Sequence, residues 1–212
     1  MSESAGNQGG RAVSPERASQ VVREDDLALA RRCAGGDPAA QRELFREHRM
    51  RVHRTLYRIL GSNGEMEDLV QDVFIEVFRS LDRFRGEAKL ATWIARITSR
   101  VAMAHVGRRR PVATSLDSVP EVEAREPGAD QVAEVRQAAE RLYRALDRVD
   151  AVQRVAFALH VIEGMPLREV ADVMEASLVA TKSRVWRARR ELERRASRDP
   201  LLAGFLAAGR TP

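Results

Sequence analysis

Between Pro111 and about Asp130 the apolar pattern of this chain stops, and that break limits what it can fold into. On either side, apolar residues recur at three- and four-residue spacing. Within it, three prolines enter and Asp117, Glu121, Glu123, Glu126 and Asp130 outweigh Arg125. A stretch with nothing to bury reads as a linker, here with an acidic bias. At 212 residues and 44% hydrophobic content the chain can bury one large core or two small ones. The break favours two. The expected fold is all-α: two small helical domains over 25–110 and 132–198, joined by a flexible acidic linker at 111–131, with tails at 1–24 and 199–212.

Met1 to Arg23 is polar and charged, and disorder is expected there. Asp25 or Asp26 can cap a short helix carrying Leu27, Leu29, Ala30 and Cys33, which Gly35 and Gly36 end. Asp37 before Pro38 is a strong start signal, since the carboxylate accepts orphan amide bonds and proline needs no donor in the first turn. The helix that follows runs to about Leu60, with Ala40, Leu44, Phe45, His48, Val52, Leu56 and Ile59 inward, and stops at Gly61 to Gly64.

The stretch Glu67 to Arg110 reads as a helix, a short basic loop and a second helix. In the first, Val70, Val73, Phe74, Val77 and Leu81 form a buried stripe. The opposite side carries Asp68, Gln71, Asp72, Ile75 and Arg79, with Phe78 beside them. An apolar patch rimmed by polar groups suggests a protein-docking surface, against the plainer reading of a helix buried on two sides. The second helix turns Leu90, Trp93, Ile94, Ile97, Val101 and Ala104 inward. Its other faces carry Lys89, Thr92, Arg96 and Arg100, then Arg108 to Arg110. Cations next to Phe84, Thr92 and Trp93 suit a nucleic-acid strand, because cations meet phosphate while aromatic faces meet unstacked bases.

Beyond the linker, a helical unit starts around Val132 and includes Leu142, Leu146 and Val149. Asp150 with Gln153 forms a capping-box-like start for a helix closed by Gly164, and Pro166 opens another through Met174. After a turn at Glu175 to Ser177, a long helix runs from Leu178 to about Ser197 with Leu178, Thr181, Val185, Ala188 and Leu192 inward. Two short helices, a tight turn and a basic final helix make a helix-turn-helix. The final helix exposes Lys182, Ser183, Arg184, Trp186, Arg187, Arg190 and Arg194; its first half would meet base edges and its later arginines phosphate. The tail LLAGFLAAGRTP is too short to span a bilayer.

A net charge of +5 and a pI near 10.2 lean towards an anionic partner. Cys33 is the only cysteine, which excludes an intramolecular disulfide and a cysteine-rich zinc site and suits a reducing cytoplasm. No run of eighteen apolar residues and no signal-peptide core is present, so a protein without membrane insertion is expected. His48 and His53 do not share a helix face, so no metal pair is expected there. The acids Glu65, Glu67, Asp68 and Asp72 have no histidine or lysine placed to work with them, and suit a helix's positive end. No enzyme, catalytic residue, metal or cofactor is expected.

Taken together, EDLVQDVFIEVF, LDRF, GEA and TWIARI in the first unit, with EG, LREVADVM and KSRVWRARREL in the second, make the chain similar to the bacterial sigma factors of the extracytoplasmic-function type, in the sigma-70 family. The resemblance spans about Asp25 to Arg198. It implies a region 2 bundle and a region 4 helix-turn-helix, and a factor that directs promoter-specific initiation by core RNA polymerase. Asp68, Leu69, Gln71, Asp72, Ile75, Phe78 and Arg79 would bind core polymerase, whose large-subunit clamp helices and flap are the implied contacts. Arg83, Phe84, Arg85, Lys89, Thr92, Trp93, Arg96 and Arg100 would read the melted −10 element. Val179, Ala180, Lys182, Ser183, Arg184, Trp186, Arg187 and Arg190 would read the −35 duplex. An anti-sigma factor is a further implied partner. The chain departs from the family's pattern at Arg100, where Asn is common, and at Ala104, where Asp is common. Glu175 replaces the usual turn glycine, and Val179, Ala180 and Thr181 replace a Gly-Thr-Val run. Glu at a position of positive φ would cost about 1 kcal/mol if the turn is kept. The alternative is a stand-alone helix-turn-helix regulator that binds duplex without polymerase.

Overall fold

The computed structural model describes residues 15–61, 64–108, 129–197, 199–200 and 202–203. Among these the secondary structure is helical, without a strand. The first unit holds α1 (Pro15–Ala34), α2 (Pro38–Leu60), α3 (Met66–Ser80) and α4 (Leu90–Arg108), with a 3-10 turn at Leu81–Arg83 after α3. The second holds α5 (Ala129–Leu146), α6 (Ala151–Phe157), α7 (Leu167–Val173) and α8 (Leu178–Ala196), and α6 runs on through a π-helical turn at Ala158–Ile162. The linker expected at 111–131 lies outside the described residues up to position 128, as do positions 1–14 of the amino-terminal tail.

Start and stop residues act largely as their chemistry requires. The Asp37 carboxylate accepts from the amides of Ala39 (2.8 Å) and Ala40 (3.2 Å), and Asp150 does the same for Val152 (3.0 Å) and Gln153 (3.2 Å). Each such cap stabilises its helix by about 1 kcal/mol. One expected cap is corrected. α1 begins at Pro15, and Asp26, inside it, caps a different helix: the Leu90 amide donates to its Oδ2 at 2.7 Å. The amino-terminal segment therefore fixes the start of α4 across 64 positions of sequence.

In the first unit Leu44, Val52, Leu56 and Ile59 of α2 close on Val70, Val73, Phe74 and Val77 of α3 and on Leu90, Ile94 and Ile97 of α4. Two assigned inner positions differ. Phe45 is 37% exposed, lying over Phe74 at a ring separation of 4.6 Å, and Ala104 is exposed. α4 also buries Thr98, Ser99, Ala102 and His105; Thr98 lies beside His48, Val52 and Thr55 of α2 and His105 beside Glu65, while α6 and α7 of the second unit pack against the same helix.

Two units are present, yet they do not keep wholly separate cores. Val155, Ala158, Leu159, Met165, Val170 and Val173 of the second unit join the cluster built by the first. A smaller cluster of Leu142, Leu146, Phe157, Ala188 and Leu192 holds α5, α6 and α8 together. Leu202, at the start of the apolar tail, is buried in that smaller cluster, so the tail's first turn packs on the second unit.

The carboxyl end of α2 shows how the units are joined. A helix leaves its last four carbonyls without intrahelical donors. Here the Gly61 amide reaches Tyr57 O at 2.7 Å, and Tyr143 Oη donates to Arg58 O at 3.1 Å. Arg154 then places Nε on Ile59 O at 2.8 Å and Nη2 on Leu60 O at 3.1 Å. Three of the four carbonyls are thus satisfied by the second unit. Arg154 is only 3% exposed; its remaining nitrogen, Nη1, pairs with Asp147 at 2.6 Å, as a buried guanidinium requires. Gly61 has φ 75°, and a Cβ there would lie 2.9 Å from the Tyr143 ring, so only glycine lets the second unit approach this closely.

Candidate functional site

Three surfaces carry the residues that the sequence singled out. On α3, Glu67 and Asp68 occupy the first turn, where the helix dipole favours acids. Asp68, Gln71, Asp72, Ile75 and Arg79 all face outward, and Ile75 is 45% exposed. Phe78 is half-buried, 6.2 Å from the Phe74 ring. Leu69 is corrected: at 3% exposure it belongs to the core, on the face of the buried Met66 and Val73 three and four positions away. Phe45, which the periodicity had turned inward, extends the apolar patch across Phe74 from α2. Arg49 of α2 pairs with Glu67 at 3.0 Å and ties the two helices at the edge of this face.

The second surface is the loop after the 3-10 turn together with the outer side of α4. Arg83, Arg85 and Lys89 are exposed, and Thr92 and Trp93 are half-buried. Phe84 is corrected: it is 8% exposed, with the Trp93 ring 5.5 Å from its own, so it supports Trp93 and presents no open face to a base. Gly86 has φ 72°, and a Cβ there would meet Leu27 Cδ1 at 2.1 Å. α1 therefore braces this loop through Leu27 as well as through Asp26. Neither contact is readable from the sequence, since both partners lie more than fifty positions away.

Arg96 and Arg100 stand further along α4 and face the second unit. Arg96 Nε donates to the carbonyl of Asp172 at 3.0 Å. The carboxylate of Glu175 lies 3.9 Å from Arg96 Nη1 and 3.9 Å from Arg100 Nη1. Glu175 has φ 49° and is, among the described residues, the non-glycine position with positive φ. Around it the Glu175 amide reaches Asp172 O at 3.3 Å and the Ala176 amide reaches Ala171 O at 2.9 Å, which is the hydrogen-bond pair of a Schellman turn. The turn geometry is kept, with Glu in the glycine position.

The third surface is α8. Ser177 caps it, accepting from the Ala180 amide at 3.2 Å. Thr181, Ala188 and Leu192 are buried, which turns Val179 (78% exposed) and Trp186 (56% exposed) outward. Lys182, Arg187 and Arg190 are exposed, while Ala180, Ser183 and Arg184 are half-buried. The Arg190 guanidinium sits 5.2 Å from the Trp186 ring, a cation–π contact that orients both. A shallow groove beside them is lined by Arg148, Gln153, Arg187, Arg190 and Arg194. Arg148, in the turn before α6, carries no periodic signal in the sequence, and Gln153 is read there only as part of the helix start.

No group of three or more His, Cys, Asp or Glu side chains placed to hold a metal occurs among the described residues. Nor is any described helix long and apolar enough to cross a membrane.

Comparison with known proteins agrees with this arrangement. Residues 44–111 match the Sigma-70 region 2 family model, and residues 139–192 match Sigma-70, region 4. The ECF RNA polymerase sigma factor SigE of Mycolicibacterium smegmatis is 33% identical over 166 residues, 75% of this chain and 63% of that relative, so the match spans less than two thirds of its length. The ECF RNA polymerase sigma-E factor of Escherichia coli strain K12 is 27% identical over 178 residues, 79% of this chain and 92% of that one. In the solved structure of CnrH in complex with the cytosolic domain of CnrY, a chain 24% identical superposes with a TM-score of 0.57, covering 82% of this chain and 98% of that one. That likeness concerns the fold.

Proposed function

Because the chain belongs to the extracytoplasmic-function sigma factors of the sigma-70 family, we propose that it directs promoter-specific initiation through the three surfaces described above. The outward face of α3, with Asp68, Gln71, Asp72, Ile75 and Arg79, docks on core RNA polymerase. Phe78 and Phe45 widen its apolar part. The loop and α4 receive the melted −10 strand, with Arg83, Arg85, Lys89, Arg96 and Arg100 on phosphate and Thr92 and Trp93 towards bases. α8 enters the major groove at the −35 element, Val179, Lys182 and Ser183 reaching base edges while Arg187, Arg190 and Arg194 meet phosphate. The first reader is assigned to 25–110 and the second to 132–198, with α1 and α5 starting ahead of these bounds, at Pro15 and Ala129. CnrH is held in its solved structure by the cytosolic domain of another protein, CnrY, and an anti-sigma partner for this chain belongs to the same reading.

The observation that carries this proposal is Ile75. A 45% exposed isoleucine among Asp68, Asp72 and Glu76 on the polar, outward face of α3 has no use in a duplex-binding regulator, and suits a protein partner. Run-off transcription with purified core enzyme over a promoter library tests it. Template-specific initiation is expected, and Ile75→Asp should abolish it while leaving thermal stability unchanged. If the purified chain with core gives no template-specific product, the proposal fails.

A further inference from the structure

The closed packing of the two units is incompatible with the task assigned to them. Elements named −35 and −10 lie roughly 25 base pairs apart, about 85 Å of duplex at ~3.4 Å per base pair. In this structure the turn before the −35 helix touches the −10 face itself, through Asp172 O on Arg96 and the Glu175 carboxylate beside Arg96 and Arg100. No molecule in this form can read both elements at once.

We propose that this is a resting state, latched by Glu175 of the helix-turn-helix in place of a strand phosphate on Arg96 and Arg100. The inference rests on the reading under Proposed function for what the latch excludes, although the latch itself is a property of the free chain. Three observations support it. Glu175 sits in a left-handed position that glycine fills at no steric cost, so a glutamate held there across the interface calls for another use. Its carboxylate is flanked by two guanidinium groups, both on the strand-reading helix. Closure is also selective: Asp68, Gln71, Asp72 and Ile75 stay exposed on the docking face, and Val179, Trp186 and Arg187 on the duplex face. Polymerase can therefore dock on the closed form, while a strand that reaches the exposed Arg83, Arg85 and Lys89 finds Arg96 and Arg100 already engaged.

The side chains of Glu175 and Arg100 are both more than half exposed, so each pair is weak by itself. A weak latch suits the role. One carboxylate occupies Arg96 and Arg100 in the resting state, and a strand that brings several phosphates displaces it. The packed Val173 and the Arg154 clamp set how far the equilibrium favours closure, and Glu175 trims it.

The test uses the full chain without polymerase. Val173 is 3% exposed within the shared cluster, so the thiol introduced by Val173→Cys is labelled only when the units part, the native Cys33 being counted in the parent chain. Glu175→Gln should speed that labelling two- to tenfold. It should also tighten binding of a fluorescent −10 single-strand oligonucleotide by a similar factor, because apparent affinity scales with the open fraction. Asp172→Asn is the control, since it removes an equal charge from the same turn without breaking a cross-unit ion pair. It should change neither readout by as much. Equal behaviour of Glu175→Gln and Asp172→Asn would overturn the latch. If Val173→Cys does not fold, oligonucleotide affinity in chains without an introduced cysteine gives the same comparison. Faster labelling with no strand binding in any chain would support the latch and count against the sigma reading, so the two can fail separately.

Discussion

At Glu175 a single residue meets two opposed demands. The Schellman turn after α7 places it at φ 49°, a region that costs an L-residue about 1 kcal/mol over glycine. Its carboxylate gains two partly exposed ion pairs, each worth under ~1 kcal/mol. Replacing it separates the terms. Glu175→Gln keeps the strain and loses the charge, while Glu175→Gly loses both. Chemical denaturation should therefore find Glu175→Gly about 1 kcal/mol more stable than Glu175→Gln, and no difference would mean that the turn carries no strain. The departure from glycine was visible in the sequence, but its partners were not, since Arg96 and Arg100 lie some 75 positions away. Other residues were misplaced for simpler reasons. Leu69 and Phe84 are apolar residues beside polar ones, and whether such a residue faces a partner or the core depends on neighbours outside its own helix. Phe45 sits at the edge of a stripe, where one turn of the helix axis decides exposure.

Among the elements, α2 is the most fully specified at its start and the least at its end. Asp37 and Pro38 announce its first turn, and the structure keeps that cap. Gly61 announces its stop, yet nothing near it in sequence reveals that Tyr143 and Arg154 satisfy the final carbonyls. This end carries the tightest polar contact between the units. Arg154→Met should cost about 2–4 kcal/mol, because it leaves two buried carbonyls without donors and Asp147 without its cation. Urea denaturation measures the loss, and a change below 1 kcal/mol would show that water takes over the role at little cost. α1 and α4 illustrate the same limit. The short helix expected from Asp25 or Asp26 begins ten residues earlier, and Asp26 serves α4, since a cap can come from any acid that folding brings to a helix end.

For the molecule as a whole, the proposed function implies that two readers, weak separately, become selective when polymerase holds both on one promoter. Tethering of this kind raises apparent affinity by 10²–10⁴ over either reader alone, in order of magnitude. A gel shift on promoter duplex should therefore show binding with core enzyme at concentrations at least 100-fold below those the free chain needs. Equal affinity with and without core would instead favour a stand-alone regulator. The closed form adds to the gap, since the free chain must first part the two units.

What the sequence determined by itself is what local chemistry encodes. Apolar spacing set the helices, Asp37, Asp150, Gly164 and Pro166 set their limits, and the run of motifs pointed to the family. Exposure of Ile75 and Trp186 followed from the same periodicity, because each lies opposite a stripe that had to be buried. Only the tertiary structure decided which faces were covered a second time. α4 was readable as an amphipathic helix with one buried side, but α6 and α7 pack against it as well, setting the Asp172 carbonyl on Arg96 and the Glu175 carboxylate beside Arg96 and Arg100. Periodicity reports how a helix meets its nearest layer. It carries no record of a second layer arriving from the far side of the linker, neither of the apolar residues that join the first cluster nor of the single side chains of Tyr143, Arg154 and Glu175.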